Sequence, residues 1–390
     1  MTTPGFSESN GLTLEIYLPL VVGSGKIETA SARVLTWNQT ALADGGWWSA
    51  SFNLAGDFNY VESWMQGMGR HMIAYNRTSQ TIGEWFVNSI SLNVGTRKVR
   101  LGPLMGAPNR VSMVYVPKLN AGGVILTGTR TRIAAINSTA QQVKWGIIER
   151  VLNGGEREAA VALQELNIFL GEHAEPVSSE PLSFGAPTAP SVTLECLGYI
   201  HWMSAYIYNN ITPGTTNTKT FLGSLLTANP NTGMYSTDYS DIATNATTVE
   251  RYTNDDKTAY ALMKEAISKG DSSNNRWLFG MYKNRKAKFE AIPTTVQYEH
   301  HITENEPRIK SGGVNIDPWD VLPGRWVSDP DFLIGRSQAV TDPRDDPRNV
   351  FIESVTYSSP NQLAINGSRV HTLSLNQMAA QLGLSGLGGG

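Results

Sequence analysis

Cysteine is nearly absent. The 390 residues hold one, Cys196, which excludes an intrachain disulfide framework and a cysteine-built zinc ribbon. It sits in the apolar run SVTLECLGYI, the setting of a buried, inert thiol. Charge is scarce as well: Asp, Glu, Lys and Arg make up 17% of the chain and the net charge is −3. That leaves no electrostatic footprint for nucleic acid or an anionic membrane. Long apolar runs are missing; Leu12 to Val22 is too short for a span and carries Glu15 and Pro19, so stable membrane insertion is not expected. The opening MTTPGFSESN lacks a basic region followed by an apolar core, and the reading is a protein made and folded in a cytoplasm. Gly-x-Ser-x-Gly, a P-loop lysine, GxGxxG after a strand and CxxC pairs are all absent. No enzyme and no cofactor emerge from the residues.

What is present is apolar and aromatic. Hydrophobic residues make up 41% of the chain, with ten Trp and fourteen Tyr. Few charges with many aromatics point to a subunit built to be buried in an assembly, although a large β core explains part of the excess. The length allows two to four domains. Gly45 to Val116 dominates the chain. Its short alternating runs are cut by Gly and Asn: Trp48, Ala50, Phe52 and Leu54 share one face, Ser49, Ser51 and Asn53 the other. So long a meander is expected to close into a barrel. Asp57 is placed to cap a short helix through Tyr60, Val61, Trp64 and Met65, which Gly67 and Gly69 end.

Further along, ARVLTW (32–37) and VILTGTRTRIAAI (124–136) read as strands. Ala140 to Val151 reads as a helix ended by Gly154-Gly155, and Glu158 to Phe169 as a second, amphipathic one. The proline-rich stretch 174–190 reads as a linker. Helices at Thr218 to Leu226, capped by Thr218 or Thr220, and at Thr258 to Lys269 flank a polar surface loop over 229–249. Arg276 to Ile292 is a hairpin turning at Lys283-Asn284-Arg285. A second meander closes the chain: in VFIESVTY, Phe351, Glu353, Val355 and Tyr357 are expected on one face. The fold class is therefore mainly β with α+β. A first β-barrel domain covers 1–137, a helical segment and linker 138–190, and a small α+β domain 191–295. A second β-barrel domain covers 296–375, and a flexible tail with a short helix 376–390.

Candidate chemistry is thin. Glu299, His300, His301 and Glu304 offer metal-ligand atoms, but adjacent histidines in a strand point to opposite faces. Asp329, Asp331 and Glu353 offer the carboxylates of a glycosidase, yet Asp-Pro-Asp is an ordinary turn. Trp47, Trp48, Trp64 and Trp85 offer stacking platforms for a sugar, though such tryptophans are more often core. GMGRH at 67–71 is a turn, not a phosphate cradle.

WWSASFNLAGD, GRHMIAYN, IGEWFVNSISL, GPLMGAPNRVSMVY, KWGIIERVL and TLECLGYIHWM occur in that order. DDKTAYALMKEAISKGDSSNNRWLFGMY, DPWDVLPGRW and FIESVTYSSPNQLAINGSRVHTL follow. The series, over about residues 30–385, resembles the minor tail or baseplate (tail-tip) hub proteins of long-tailed bacteriophages. The resemblance implies a virion structural protein with two barrels per chain, three chains forming a pseudo-sixfold homotrimeric ring. Such a ring joins the hexameric tail tube or distal tail protein to a trimeric tip or fibre, beside the tape measure protein, and DNA passes through its lumen. Ring contacts would then fall on Trp85, Asn88, Arg100, Arg110 and Tyr115 in the first barrel, with Phe351, Glu353, Val355 and Tyr357 as counterparts in the second. A built-in lysin is doubtful, since the second barrel is followed only by a Gly-rich tail. The rival reading is a carbohydrate-binding or glycan-degrading protein of a cell-surface or virion adhesion device. A third is a hexameric distal tail protein, which needs only one barrel.

Overall fold

The computed structural model describes residues 12–121, 124–176, 183–208, 214–231, 233–251, 257–273, 275–302, 307–330, 343, 346, 348–359 and 362–368. In the N-terminal part the strands are β1 (Thr13–Pro19), β2 (Lys26–Thr29), β3 (Val34–Leu42), β4 (Gly45–Ala55), β5 (Arg70–Tyr75) and β6 (Thr81–Leu101). The middle of the chain carries β7 (Arg110–Ala121), β8 (Val124–Thr127), β9 (Thr131–Asn137), β10 (Glu149–Arg157), β11 (Ser183–Gly198), β12 (Gly214–Asn217) and β13 (Thr248–Arg251). Then come β14 (Trp277–Tyr282), β15 (Lys286–Ala291), β16 (Tyr298–Ile302), β17 (Pro307–Ser311), β18 (Val314–Asn315), β19 (Trp326–Ser328), β20 (Asn349–Ser358) and β21 (Gln362–Ser368). Helices are α1 (Phe58–Ser63), α2 (Thr139–Trp145), α3 (Ala159–His173), α4 (Thr218–Thr227) and α5 (Ala259–Ser268).

The fold is mainly β. One large sheet follows the path β18-β17-β16-β19-β20-β3-β4-β11-β6-β5-β1-β2, with β14, β15 and β21 attached to its side. β11 lies between β4 and β6, antiparallel to both: Leu194 is opposite Phe52 on one side and Ile90 on the other. Its alternation explains the position. Val192, Leu194 and Cys196 are buried, and Thr193 and Glu195 face outward. This corrects the linker expected over 174–190, because β11 already begins at Ser183. Pro187 and Pro190, which have no N–H to donate, fall where the β11–β6 register breaks.

β20 gives one edge to β21 and the other first to β19 and then, past an irregularity at Glu353, to β3. The two expected meanders thus join in one sheet whose path ends at β2 and β18. Among the described residues neither closes into a barrel of its own. One hydrophobic core runs from Leu14 through Leu194 and Phe289 to Tyr357, across the expected domain boundaries at 190/191 and 295/296. The irregularity also overturns the expected common face of VFIESVTY. Phe351 packs with Trp326 and Leu278, while Ile352, Val355 and Tyr357 join the main core.

A small sheet stands apart, with β7 flanked by parallel β10 and antiparallel β9 and extended by β8. α3 packs Ala162 and Leu166 onto Val111, Met113 and Tyr115. The helix expected from Ala140 to Val151 stops at Trp145; Val151 is in β10, and Gly154-Gly155 form a register shift there, Gly155 at φ +62°. Asp57 caps α1 as expected, its side chain accepting from the Tyr60 amide. Thr258 caps α5, and the 283–285 turn has Asn284 and Arg285 in the left-handed region. α4 is capped instead by Asn217, whose side chain accepts from the Thr220 amide. The 229–249 stretch is no surface loop, because Met234, Tyr235 and Ile242 are buried in the main core. The expected terminal helix and tail over 376–390 lie outside the described residues.

Leu194→Ala should lower unfolding stability by about 2–5 kcal/mol, the usual cost of a cavity at a fully buried leucine. Glu195→Ala, whose side chain faces outward, should change it by about 0.5 kcal/mol at most. Urea unfolding of the two variants checks the orientation of β11.

Candidate functional site

The expected ring residues do not share a surface. Trp85, Tyr115, Phe351, Val355 and Tyr357 are buried. Trp85 packs edge-on against Phe52 with centroids 5.7 Å apart, and Phe351 packs against Trp326 at 5.2 Å. These aromatics hold the sheet together and are not available to a neighbour. Asn88 is half-buried and accepts from the Met105 amide at 3.0 Å. Arg100 pairs with Glu195 at 3.3 Å, and Arg110 lies 3.7 Å from buried Glu149. Glu353 is gripped by Arg276, which also binds Asp44. Of the nine, Arg100 and Arg110 come nearest to an outer surface.

A large concavity lies in the C-terminal part of the sheet, a cavity of about 610 Å³. Six strands in spatial order, β18, β17, β16, β19, β20 and β21, supply its walls together with the segment after β18. The apolar lining residues are Ile309, Ile316, Pro318, Val327, Val350, Leu363 and Ile365. Leu363 and Ile365 oppose Tyr357 and Val355 across the β20–β21 ladder, so the cavity continues the main core's face. Tyr357 and Tyr298 tie down its neighbourhood: Tyr357 donates to the Val321 carbonyl, and Tyr298 Oη accepts from the Leu322 amide at 3.1 Å.

The cavity's polar groups come from segments distant in sequence. His300 Nδ1 is 4.0 Å from Asp329 Oδ2. Asp329 Oδ1 is buried and, among the described residues, has no hydrogen-bond partner. Arg348 also lines the cavity, but its guanidinium is turned to Asp346, with Nε 3.0 and 3.1 Å from the two carboxylate oxygens. Of the metal-ligand candidates, His300 faces this cavity and His301 contacts Glu299 at 3.2 Å. The two histidines part company, as adjacent strand residues must. Among the described residues no group of three His, Cys, Asp or Glu is placed to hold a metal. Glu304 and Asp331 lie outside the described residues. No described helix is long and apolar enough to cross a membrane.

No family model matches the chain, and no curated protein does. Among solved structures, the chain is similar to the 43 kDa tail protein of prophage MuSo2 from Shewanella oneidensis. The likeness covers 92% of this chain and 96% of that one, at 7% identity and a TM-score of 0.40. At that distance neither fold nor function transfers.

Sequence reasoning missed two buried polar nodes. Glu84 is buried in β6, and its carboxylate accepts from the Asn284 and Arg285 amides at 2.9 and 3.0 Å, anchoring the β14–β15 turn. Burial raises its pKa against the opposing pull of those bonds. Beside it, His71 Nδ1 lies 2.7 Å from Tyr199 Oη. Burial, helped by Arg285, pushes the His71 pKa down to about 3. His201, packed 4.2 Å from Trp48, is likewise lowered by burial, to about 4. A charged residue alternating with apolar ones, as Glu84 does beside Trp85, was the available signal.

Both histidines are neutral in the fold and titrate near 6.5 when unfolded. Below that value the unfolded chain binds more protons, so stability present above about pH 6.5 is lost as pH falls toward 3–4. The slope is at most about 1.4 kcal/mol per pH unit for each histidine. Glu84 has the opposite sign: its raised pKa favours the fold as pH falls. Urea unfolding from pH 7.5 to 4.5 should therefore show declining stability, and His71→Gln should flatten the decline.

Proposed function

We propose that the protein is a structural subunit of a bacteriophage tail tip. In this reading it is a homotrimeric hub joining a hexameric tail tube or distal tail ring to the tip, with DNA passing through the lumen. The observation that carries the structural half of the proposal is the C-terminal cavity, a largely apolar concave surface that continues the main core's face. A neighbour's side chains could complete such a surface in an assembly. The tail-tip half rests on the sequence resemblance.

The glycan rival needs exposed aromatic platforms. Trp37, Trp47, Trp64, Trp85, Trp145, Trp202, Trp277, Trp319 and Trp326 are all buried, which leaves Trp48 alone and half-buried against His201. The carboxylates weighed for a glycosidase are separated in role: Glu353 is neutralised by Arg276, and Asp329 sits in the cavity. The ring would not use the buried aromatics once expected of it. Arg100 and Arg110 remain as candidate contacts.

Light scattering behind a sizing column, over a hundredfold range of concentration, should give three times the chain mass, with an open centre in micrographs. A single-chain mass throughout, together with saturable binding to a glycan array, would overturn the hub reading.

A further inference from the structure

We infer that the C-terminal concavity is the docking groove for an extended segment of a partner polypeptide. The segment lies as a strand along β21, with apolar side chains inward and one lysine or arginine at Asp329. This inference stands apart from the tail-tip reading, since it uses only the groove.

Size is the first argument. About 610 Å³ is within the range of ligand pockets and is far more than one side chain fills. Left to solvent, water in it would lie against Ile309, Val350, Leu363 and Ile365, whose side chains offer no hydrogen bonds.

Backbone is the second. Among the described residues β21 pairs only with β20, and β18 only with β17. Among the described residues nothing pairs with the outer edge of either strand, and residues of both strands line the cavity: Asn315 from β18, Leu363 and Ile365 from β21. Apolar walls beside an unpaired edge are what strand addition uses: main-chain bonds give affinity, and alternate side chains enter the cavity. A compact small molecule would leave the edge unpaired.

Charge is the third. Asp329 Oδ1 is buried with no partner among the described residues, and the guanidinium that shares the cavity wall, that of Arg348, is committed to Asp346. A buried acceptor without a donor is costly, and a cation delivered by the incoming strand removes that cost. A carboxylate in the same place would meet Asp329 with like charge.

The test uses the full chain and two sets of capped hexapeptides alternating Thr with Val, Ile or Leu, one set ending in Lys and the other in Glu. Titration by heteronuclear NMR should show saturable binding of the Lys set, at least tenfold tighter than the Glu set. Asp329→Asn should abolish that preference while leaving the unfolding midpoint in place. Ile365→Trp, which puts a bulky ring on the wall beside β21, should weaken both sets at least tenfold. Three results would overturn the inference. They are no saturable binding at 1 mM, equal affinity of the two sets, and binding unchanged by Ile365→Trp. Binding that appears only after deletion of 369–390 would overturn it too, by making the chain's own C-terminal stretch the occupant.

Discussion

Everything in the sheet depends on β11 entering between β4 and β6. Until residues 183–198 arrive, two strands from the first hundred residues face each other across a missing neighbour. Val192, Leu194 and Cys196 then disappear into the core at once. At about 1.5–3 kcal/mol for a fully buried Val or Leu, the insertion contributes as much as a small domain's margin of stability. The same strand supplies backbone partners on both edges, from Ser191 to Leu197 along β4 and on to Gly198 along β6. Folding of the N-terminal part is therefore tied to a segment more than 80 residues further on, a topology of high contact order.

Apolar burial of this kind does not by itself fix orientation, and polar joints do that. Asn109 and Asn231 hold the segment after α2 from two sides. Asn109 accepts from the Ile148 amide at 2.9 Å and donates to the Gly146 carbonyl at 2.7 Å. Asn231 accepts from the Ile147 amide at 2.6 Å and donates to its carbonyl at 2.9 Å. The two amides replace a partner strand for a stretch that has none, and so satisfy buried backbone groups. Arg276 performs a related task. It draws Asp44, before β4, and Glu353, at the β20 irregularity, onto the hairpin that begins with β14. Three distant segments are aligned by one guanidinium, whose rigid fork of donors suits two carboxylates.

Local pattern made the elements legible and long-range pairing did not. The alternation of Trp48 to Leu54, the Asp57 cap, the helix beginning near Thr258 and the Lys283–Arg285 turn are read within a few residues, and each is present. Gly154-Gly155 has the same local look as a helix stop, but parallel β7 alongside converts it into a strand irregularity. Glu353 shifts the face of β20 because β19 and β3 share one edge there, a fact of topology with no trace in VFIESVTY. The expected ring residues failed for a different reason. They were expected on exposed faces of the meander strands, but Trp85, Tyr115, Phe351, Val355 and Tyr357 face the core, where large apolar area is buried most favourably. In the sequence Asp329 stands out only as a possible glycosidase carboxylate; its place in the cavity wall depends on β16 and β20, which are distant in sequence.

The composition takes on a different meaning once burial is known. Few charges and ten tryptophans look like an interface-rich surface, yet nine of those tryptophans are inside. The aromatic excess therefore belongs to the core, and the case for assembly has to come from elsewhere. Exposed Val22 and Val143 do not supply it, since single apolar residues at a surface are ordinary. What is not ordinary is a core that runs along β20 and β21 and ends in a largely apolar hollow beside an edge that nothing pairs with among the described residues. Larger side chains at Val350 and Ile365 would narrow that hollow but could not fill about 610 Å³. Its persistence in so well packed a chain is most simply explained by a neighbour's residues completing the core.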